Sequence, residues 1–162
     1  MKRINKEYLQ SAMFGFNDAL VSTTGVIVGV STGVNDKSVI ILAGVVTILV
    51  EALSMGSGQY LSLKSAHELD GKNKFTVPII SGVVMAVAYL LAGLVPLMSI
   101  ILSPNEHGRT VAIIAALACL TLLGYAKGKI VGVSAVRSAL EVLIVGGIAT
   151  VIGIVVGGMF AV

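Results

Sequence analysis

The chain has 162 residues, of which 56% are apolar and only 12% are charged, and its mean hydropathy is +1.01. A soluble domain of this length needs a largely polar surface, which this composition excludes. The net charge of +3 comes from Lys and Arg residues clustered between apolar segments, so it indicates no nucleic-acid partner.

Five apolar segments lie between the charged clusters, each close to the ~20 residues that cross ~30 Å of hydrocarbon as a helix. Five such segments in succession leave no amphipathic face for water, which disfavours a soluble bundle. We therefore predict an all-α integral membrane protein with a single five-helix domain over residues 1–162. The predicted helices span about 12–34, 38–63, 76–102, 110–126 and 136–161.

The distribution of Lys and Arg predicts the orientation, because acidic residues contribute little to the topology signal. With the amino terminus inside, the inner side holds nine basic residues and the outer side holds two, Lys37 and Arg109. We predict a cytoplasmic amino terminus and a carboxyl terminus outside or in a lumen. The nine inner residues are Lys2, Arg3, Lys6, Lys64, Lys72, Lys74, Lys127, Lys129 and Arg137.

The first predicted helix combines an acidic residue with regularly spaced glycines. Asn17 and Asp18 interrupt its apolar stretch, so we expect a retained helix rather than a cleaved signal. Gly25, Gly29 and Gly33 recur at intervals of four, and small residues at that interval let helix backbones approach closely in lipid. The spacing leaves open whether the approach occurs within one chain or between two.

The second predicted helix carries Glu51, Met55 and Gln59 at successive intervals of four, which places them on one stripe. A rise of ~1.5 Å per residue places Met55 ~12 Å from the inner end, close to the ~10 Å of Asp18. Glu51 lies one turn deeper, near the level of Ser22. We expect the stripe to face the first helix.

This arrangement predicts a path for a divalent cation. A carboxylate in hydrocarbon costs roughly 2.5–3.5 kcal/mol on insertion scales, so it is seldom kept without a task. Oxygen ligands alone suit Mg²⁺ or Ca²⁺, whereas the thioether of Met55 favours Fe²⁺, with Mn²⁺, Co²⁺ and Zn²⁺ as competitors. Methionine also serves as core filler, and the place of Met55 between Glu51 and Gln59 is what distinguishes it. Because a carboxylate binds either a proton or a metal, the two would compete, which is a mechanism for antiport.

The other polar residues carry weaker signals. We expect His67 and His107 to lie in solvated loops, and Cys119 to be a small packing residue in mid-helix. Glu141 follows Arg137 by four residues, which favours a structural ion pair and leaves proton transfer open. No catalytic Ser, His and Asp set or Cys and His set occurs at plausible depths, so we expect no enzyme.

Two segments resemble the helix signatures of the vacuolar iron transporters. The run Gly15–Val26, followed by Gly29, is similar to the first-helix signature, and the run Glu51–Ser62 to the second. The resemblance covers the whole chain in segment number and orientation. In sequence it is strong from Phe14 to Lys64 and weaker over Arg137–Gly147.

The resemblance implies a homodimer that exchanges cytoplasmic ferrous iron for protons through a path at the dimer interface. It assigns the lining of that path to Asp18 and Met55, and it places the first helix, with Gly25, Gly29 and Gly33, at the interface. Iron is then the transported substrate, and no permanently bound cofactor is expected.

The chain departs from the family pattern in the connection after the second helix. Many members insert a metal-gathering cytoplasmic domain there, whereas this chain has only a short segment with His67, Glu68 and Asp70 as candidate ligands. Metal capture would then be weak or would depend on a cytoplasmic iron-delivery protein. Gln59 stands where much of the family has Glu, and Glu51 stands where many members have a small residue.

We predict a membrane exporter of ferrous iron or a related divalent metal that works by proton exchange. A manganese-preferring exporter on the same site is the nearest alternative. From another class, the chain would be a non-transporting scaffold or accessory subunit whose acidic residues pair with Arg137 or with partner helices. With no organelle signal in a minimal chain, we expect a prokaryotic cell membrane.

Overall fold

The computed structural model describes residues 5–71, 75–104 and 107–161. This part of the chain forms five α-helices and no strand, which confirms the all-α prediction. Each helix is long and apolar enough to cross a membrane. The helices are α1 (Lys6–Gly33), α2 (Lys37–Leu69), α3 (Thr76–Leu102), α4 (Gly108–Val131) and α5 (Ala135–Met159).

Several helices extend beyond the apolar segments from which they were predicted. Polar residues can continue a helix where the unpaired backbone N–H and C=O groups at its end find hydrogen-bond partners. α1 begins six residues before the predicted position, where the Asn5 side chain accepts a hydrogen bond from the Glu7 amide at 2.9 Å. α2 continues to Leu69. α4 runs five residues past its predicted end and stops before Gly132, whose φ of 80° is left-handed. α5 ends at Met159, two residues earlier than predicted.

α1 is the central helix and contacts the four others. Its Ala19 and Leu20 belong to a buried cluster with Ala52 of α2, Tyr89 of α3 and Leu120 of α4. Large apolar side chains on the other helices point outward, and this exposed apolar exterior is typical of a surface that meets lipid. The four more apolar helices therefore surround α1, which is the least apolar of the five.

Lys37 and Arg109, the two basic residues predicted for the outer side, form hydrogen bonds at the carboxyl-terminal ends of α3 and α1. The Lys37 ammonium donates to the carbonyl oxygens of Ile101 and Ser103 at 3.1 and 3.0 Å, and Arg109 donates to the Thr32 hydroxyl at 3.2 Å. Cations are favourable at helix carboxyl ends, where unpaired carbonyls carry partial negative charge. Both residues thus have structural roles.

Candidate metal site

The two ends of the stripe on α2 interact with α1. At one end, the Gln59 amide nitrogen donates to the Ser11 hydroxyl at 3.0 Å. Met55 packs against the buried cluster to which α1 contributes Ala19 and Leu20. At the other end, the Glu51 carboxylate lies within electrostatic reach of Asp18. The spacing of four thus brings carboxylate, thioether and amide groups to one helix interface.

Small residues hold the three helices close enough for this contact. A Cβ added at Gly15 of α1 would lie 2.6 Å from the Met85 carbonyl oxygen of α3. A Cβ at Gly56 of α2 would lie 2.9 Å from the Gly82 carbonyl oxygen of α3. Side chains at these positions would separate the backbones, so α3 forms a close wall behind the space between α1 and α2.

Asp18 and Glu51 are partly buried acidic residues. In the part of the chain that the structure describes, neither forms an ion pair with Lys, Arg or His. Each carboxylate instead lies within electrostatic reach of the other, and like charges repel. A shared cation or proton removes this repulsion, so the pair has the electrostatics of a cation site.

Tyr89 of α3 is a site residue that sequence reasoning missed. Its side chain is fully buried, and its hydroxyl lies 2.6 Å from the hydroxyl of Ser22 on α1. The Tyr89 hydroxyl also lies within electrostatic reach of Asp18 and Glu51. The available signal was the single tyrosine of the largely apolar third segment, because a buried tyrosine hydroxyl needs a hydrogen-bond partner.

The prediction of a solvated loop for His67 was wrong. His67 lies in the last turn of α2, its relative exposure is 9%, and its Nε2 lies 3.3 Å from Oε1 of Glu7 on α1. α2 continues beyond the apolar segment, and its added turns pack along the start of α1. Together with the Gln59–Ser11 hydrogen bond, this contact joins α1 and α2 on the amino-terminal side of Asp18.

The three candidate capture residues do not form a metal cluster with one another. Glu68 lies 3.8 Å from the Lys64 ammonium, and His67 contacts Glu7. Within residues 5–71, 75–104 and 107–161, no group of three His, Cys, Asp or Glu side chains is arranged to hold a metal ion. Metal capture by His67, Glu68 and Asp70 stays a prediction.

Four of the nine basic residues predicted for the inner side, Lys2, Arg3, Lys72 and Lys74, lie outside the described residues.

Glu141 forms the ion pair that its spacing predicts. The Arg137 Nε lies 3.3 Å from Oε1 of Glu141, and both side chains are well exposed. The same carboxylate borders a cavity of about 480 Å³ between α1, α4 and α5, with Lys127 also on its wall. Glu141 is therefore separate from the Asp18–Glu51 pair, and its role in proton transfer stays a prediction.

The glycines of α1 pack against α5 of the same chain. A Cβ at Gly29 would lie 3.1 Å from the Gly153 carbonyl oxygen, and a Cβ at Gly33 would lie 2.9 Å from that of Gly157. A Cβ at Gly25 would lie 3.6 Å from the Ala149 carbonyl oxygen. The interval of four between these glycines thus allows α1 and α5 of the same chain to pack closely. Packing of these glycines in a dimer stays a prediction.

Comparison with known proteins identifies the family. A family model described as the VIT family matches residues 9–74 and 66–158. The chain belongs to the VIT family. The two matched regions include both segments that carry the resemblance and all of the five helices except the first three residues of α1 and the last residue of α5. This assignment confirms the predicted relationship to vacuolar iron transporters.

Curated relatives agree over most of the chain. Vacuolar iron transporter homolog 1 of Arabidopsis thaliana is 31% identical over 88% of this chain and 78% of its own length. Homolog 3 of the same plant is 28% identical over 90% of this chain and 80% of its own length. Vacuolar iron transporter 1 of Arabidopsis thaliana is 24% identical, with shares of 89% and 82%. All three relatives are named as vacuolar iron transporters or as homologues of them.

Proposed function

We propose that this VIT-family protein exports ferrous iron from the cytoplasm in exchange for protons. The observation that carries the proposal is that the two ends of the Glu51–Met55–Gln59 stripe interact with Asp18 and Ser11 on α1, with no Lys, Arg or His among the described residues paired with either acid. The names of the relatives support iron as the metal.

The donor groups fit a borderline transition metal. Asp18 and Glu51 supply hard carboxylate oxygens, Met55 supplies a soft sulfur, and Gln59 supplies an amide oxygen if its nitrogen keeps the bond to Ser11. Mixed oxygen and sulfur donors suit Fe²⁺ better than Mg²⁺ or Ca²⁺. Mn²⁺, Co²⁺ and Zn²⁺ are the competing substrates of the same site.

Proton exchange follows from the mutual repulsion of the two acids. A bound divalent cation lets both carboxylates stay charged, whereas protons neutralise them when the cation leaves. Exposure of the site to an acidic compartment would then release the metal and load protons, and exposure to the cytoplasm would reverse the exchange. The predicted excess of Lys and Arg at the amino-terminal side would make that side cytoplasmic, so an acidic compartment on the opposite side would drive export.

We also propose that the protein works as a homodimer that receives iron from the cytoplasm. An apolar groove of about 690 Å³ runs along the outer side of the α1 and α5 crossing, bordered by Val21, Val26, Ile152 and Val156. A second copy of this face would cover the groove. Because the connection after α2 is short, a delivery protein would compensate for the missing capture domain.

The scaffold alternative makes a different demand on the acidic residues. It requires them to be neutralised by basic side chains of this chain or of a partner. Glu141 meets that demand through Arg137. Asp18 and Glu51 do not meet it within this chain, because among the described residues neither forms an ion pair with Lys, Arg or His. The acids near the stripe therefore favour transport.

The proposal is tested by a paired flux assay in proteoliposomes that follows metal entry and lumenal pH together. With the cytoplasmic side outward and an acidic lumen, we expect Fe²⁺ to enter while the lumenal pH rises. Entry of Fe²⁺ without proton exit would disprove exchange and leave transport intact. If neither Fe²⁺ nor Mn²⁺ enters, the exporter assignment is wrong.

A further inference from the structure

A polar cavity, which we call the Lys37–Arg109 cavity, lies at the end of the bundle farthest from the amino terminus. Its volume is about 250 Å³, and its wall is formed by the end of α1, the start of α2, the end of α3 and the start of α4. Asp18, Glu51 and Met55 do not line it. The cavity is therefore separate from the candidate metal site.

Two cations border this cavity, and the described part of its wall carries no acidic side chain. The cations are Lys37 of α2 and Arg109 of α4. Among the residues that the structure describes, neither forms an ion pair with Asp or Glu. Asp36, the neighbour of Lys37 in sequence, is exposed and accepts a hydrogen bond from the Ser38 amide at 2.8 Å. The wall of the cavity thus presents net positive charge.

Hydrogen bonds hold both cations at the helix ends without using all of their donors. The Lys37 ammonium donates to two carbonyl oxygens at the end of α3, at 3.1 and 3.0 Å, and an ammonium has a third donor. Arg109 uses one N–H for the Thr32 hydroxyl at 3.2 Å, and a guanidinium has five. Because both side chains are already held in place, they lose little conformational freedom when a ligand binds.

The size and donors of the Lys37–Arg109 cavity suit a phosphate group. A volume of about 250 Å³ lies below the ~300–1,000 Å³ of pockets for drug-sized ligands, which favours a small anion or a headgroup. The fork of N–H donors on arginine matches phosphate oxygens, and lysine binds phosphate as a point charge. Gly108 places the amino end of α4 at the same wall, which adds partial positive charge to that of the two side chains.

We propose that the Lys37–Arg109 cavity binds a phosphate group, carried by a lipid headgroup or present as inorganic phosphate. The cavity lies at the ends of helices of membrane-spanning length, which is the depth of lipid headgroups, and basic pockets between membrane helices bind such headgroups. A phosphate bound by Lys37 and Arg109 joins the start of α2 to the start of α4. The site does not depend on the proposed metal transport, because it shares no residue with the α2 stripe or with Asp18.

Native mass spectrometry of the purified full chain in a maltoside detergent tests the lipid source. Dioleoylphosphatidylglycerol and dioleoylglycerol have the same acyl chains, and we expect the first, which alone carries phosphate, to bind in preference to the second. Isothermal titration calorimetry with sodium phosphate at constant ionic strength tests the free anion. Preference for the phosphate-bearing lipid would identify a headgroup site, and heat from sodium phosphate would identify inorganic phosphate as a ligand. Neither result would overturn the proposal only if both assays were positive; no preference together with no heat overturns it.

Asn35→Asp locates the binding, because Asn35 is exposed on the cavity wall and takes no part in the hydrogen bonds that hold the cations. The added negative charge should weaken phosphate binding by about tenfold or more. Ser65→Asp is the matched control, since Ser65 is exposed near the opposite end of α2 and gains the same charge. It should keep the wild-type affinity.

Arg109→Gln should also weaken binding by about tenfold or more, because it removes charge-assisted hydrogen bonds to phosphate. Arg137→Gln is its control, since Arg137 is exposed at the start of α5 and does not line the cavity. If Asn35→Asp binds as tightly as Ser65→Asp, the phosphate lies elsewhere and the proposal is wrong. This comparison decides even if Arg109→Gln fails to fold, because Asn35→Asp keeps both cations.

Discussion

The two halves of α1 both place small or polar residues against neighbouring helices, but these residues serve different purposes. Ser11 and Asp18 in the first half, and Ser22 just beyond its end, meet polar groups of α2 and α3. Gly29 and Gly33 in the second half lie against backbone atoms of α5 and its carboxyl-terminal cap. Along α1, the residues that contact neighbouring helices thus change from polar side chains to glycines that only allow close packing. The comparison shows that the type of residue, rather than its spacing, distinguishes the candidate metal site from the place where α1 packs against α5.

The largest expected effect comes from the first half. Asp18→Asn keeps the shape of the side chain and removes its charge, so we expect metal flux in proteoliposomes to fall by ~100-fold or more, above the ~10–100-fold typical of groups that only support a ligand. Asp36→Asn is the matched control, because Asp36 is the exposed N-cap of α2 and asparagine caps equally well. Equal flux in the two variants would remove the distinction between the halves.

The second half should respond through stability instead. A Cβ at Gly157 of α5 would overlap the Gly29 carbonyl oxygen of α1, so Gly157→Ala should destabilise the fold by about 1–3 kcal/mol. Gly158→Ala is the control, since a Cβ there meets open space. Denaturant unfolding in detergent measures the difference. If Gly157→Ala left stability unchanged and raised the KM for metal, this crossing would belong to the site.

The smallest effect is expected outside both halves. Glu141 is exposed and paired with Arg137, and exposed pairs contribute about 0–1 kcal/mol. Glu141→Gln should therefore keep metal flux and proton exit within about twofold of wild type in the paired assay. A selective loss of proton exit, with metal binding retained, would instead place Glu141 on the proton route.

Much of the fold could be predicted because lipid imposes a strong constraint on composition. Five apolar segments of spanning length leave few alternatives to five helices. The helix ends were less predictable. The apolar pattern stops at the boundary of the hydrocarbon layer, whereas the backbone hydrogen bonds of a helix can continue beyond it. The start of α1 at Lys6 and the last turns of α2 around His67 both lie beyond that boundary.

The candidate site was predictable only where a pattern lies within one helix. The interval of four placed Glu51, Met55 and Gln59 on one face, and the depth estimate matched Met55 to Asp18. Tyr89 escaped because its partner is 67 residues away and a single residue has no spacing. For the same reason, the glycine interval of α1 could not reveal that α5 of the same chain lies against it.

The most direct test of the account is X-ray absorption at the iron edge on Fe²⁺-loaded protein carrying Cys119→Ala, which removes the thiol packed near the same cluster. If the metal sits between Asp18 and Met55, the spectrum should contain one sulfur neighbour among oxygen neighbours, and Met55→Leu should remove it. A spectrum with oxygen and nitrogen neighbours alone, or a sulfur signal that persists in Met55→Leu, would contradict the proposed site.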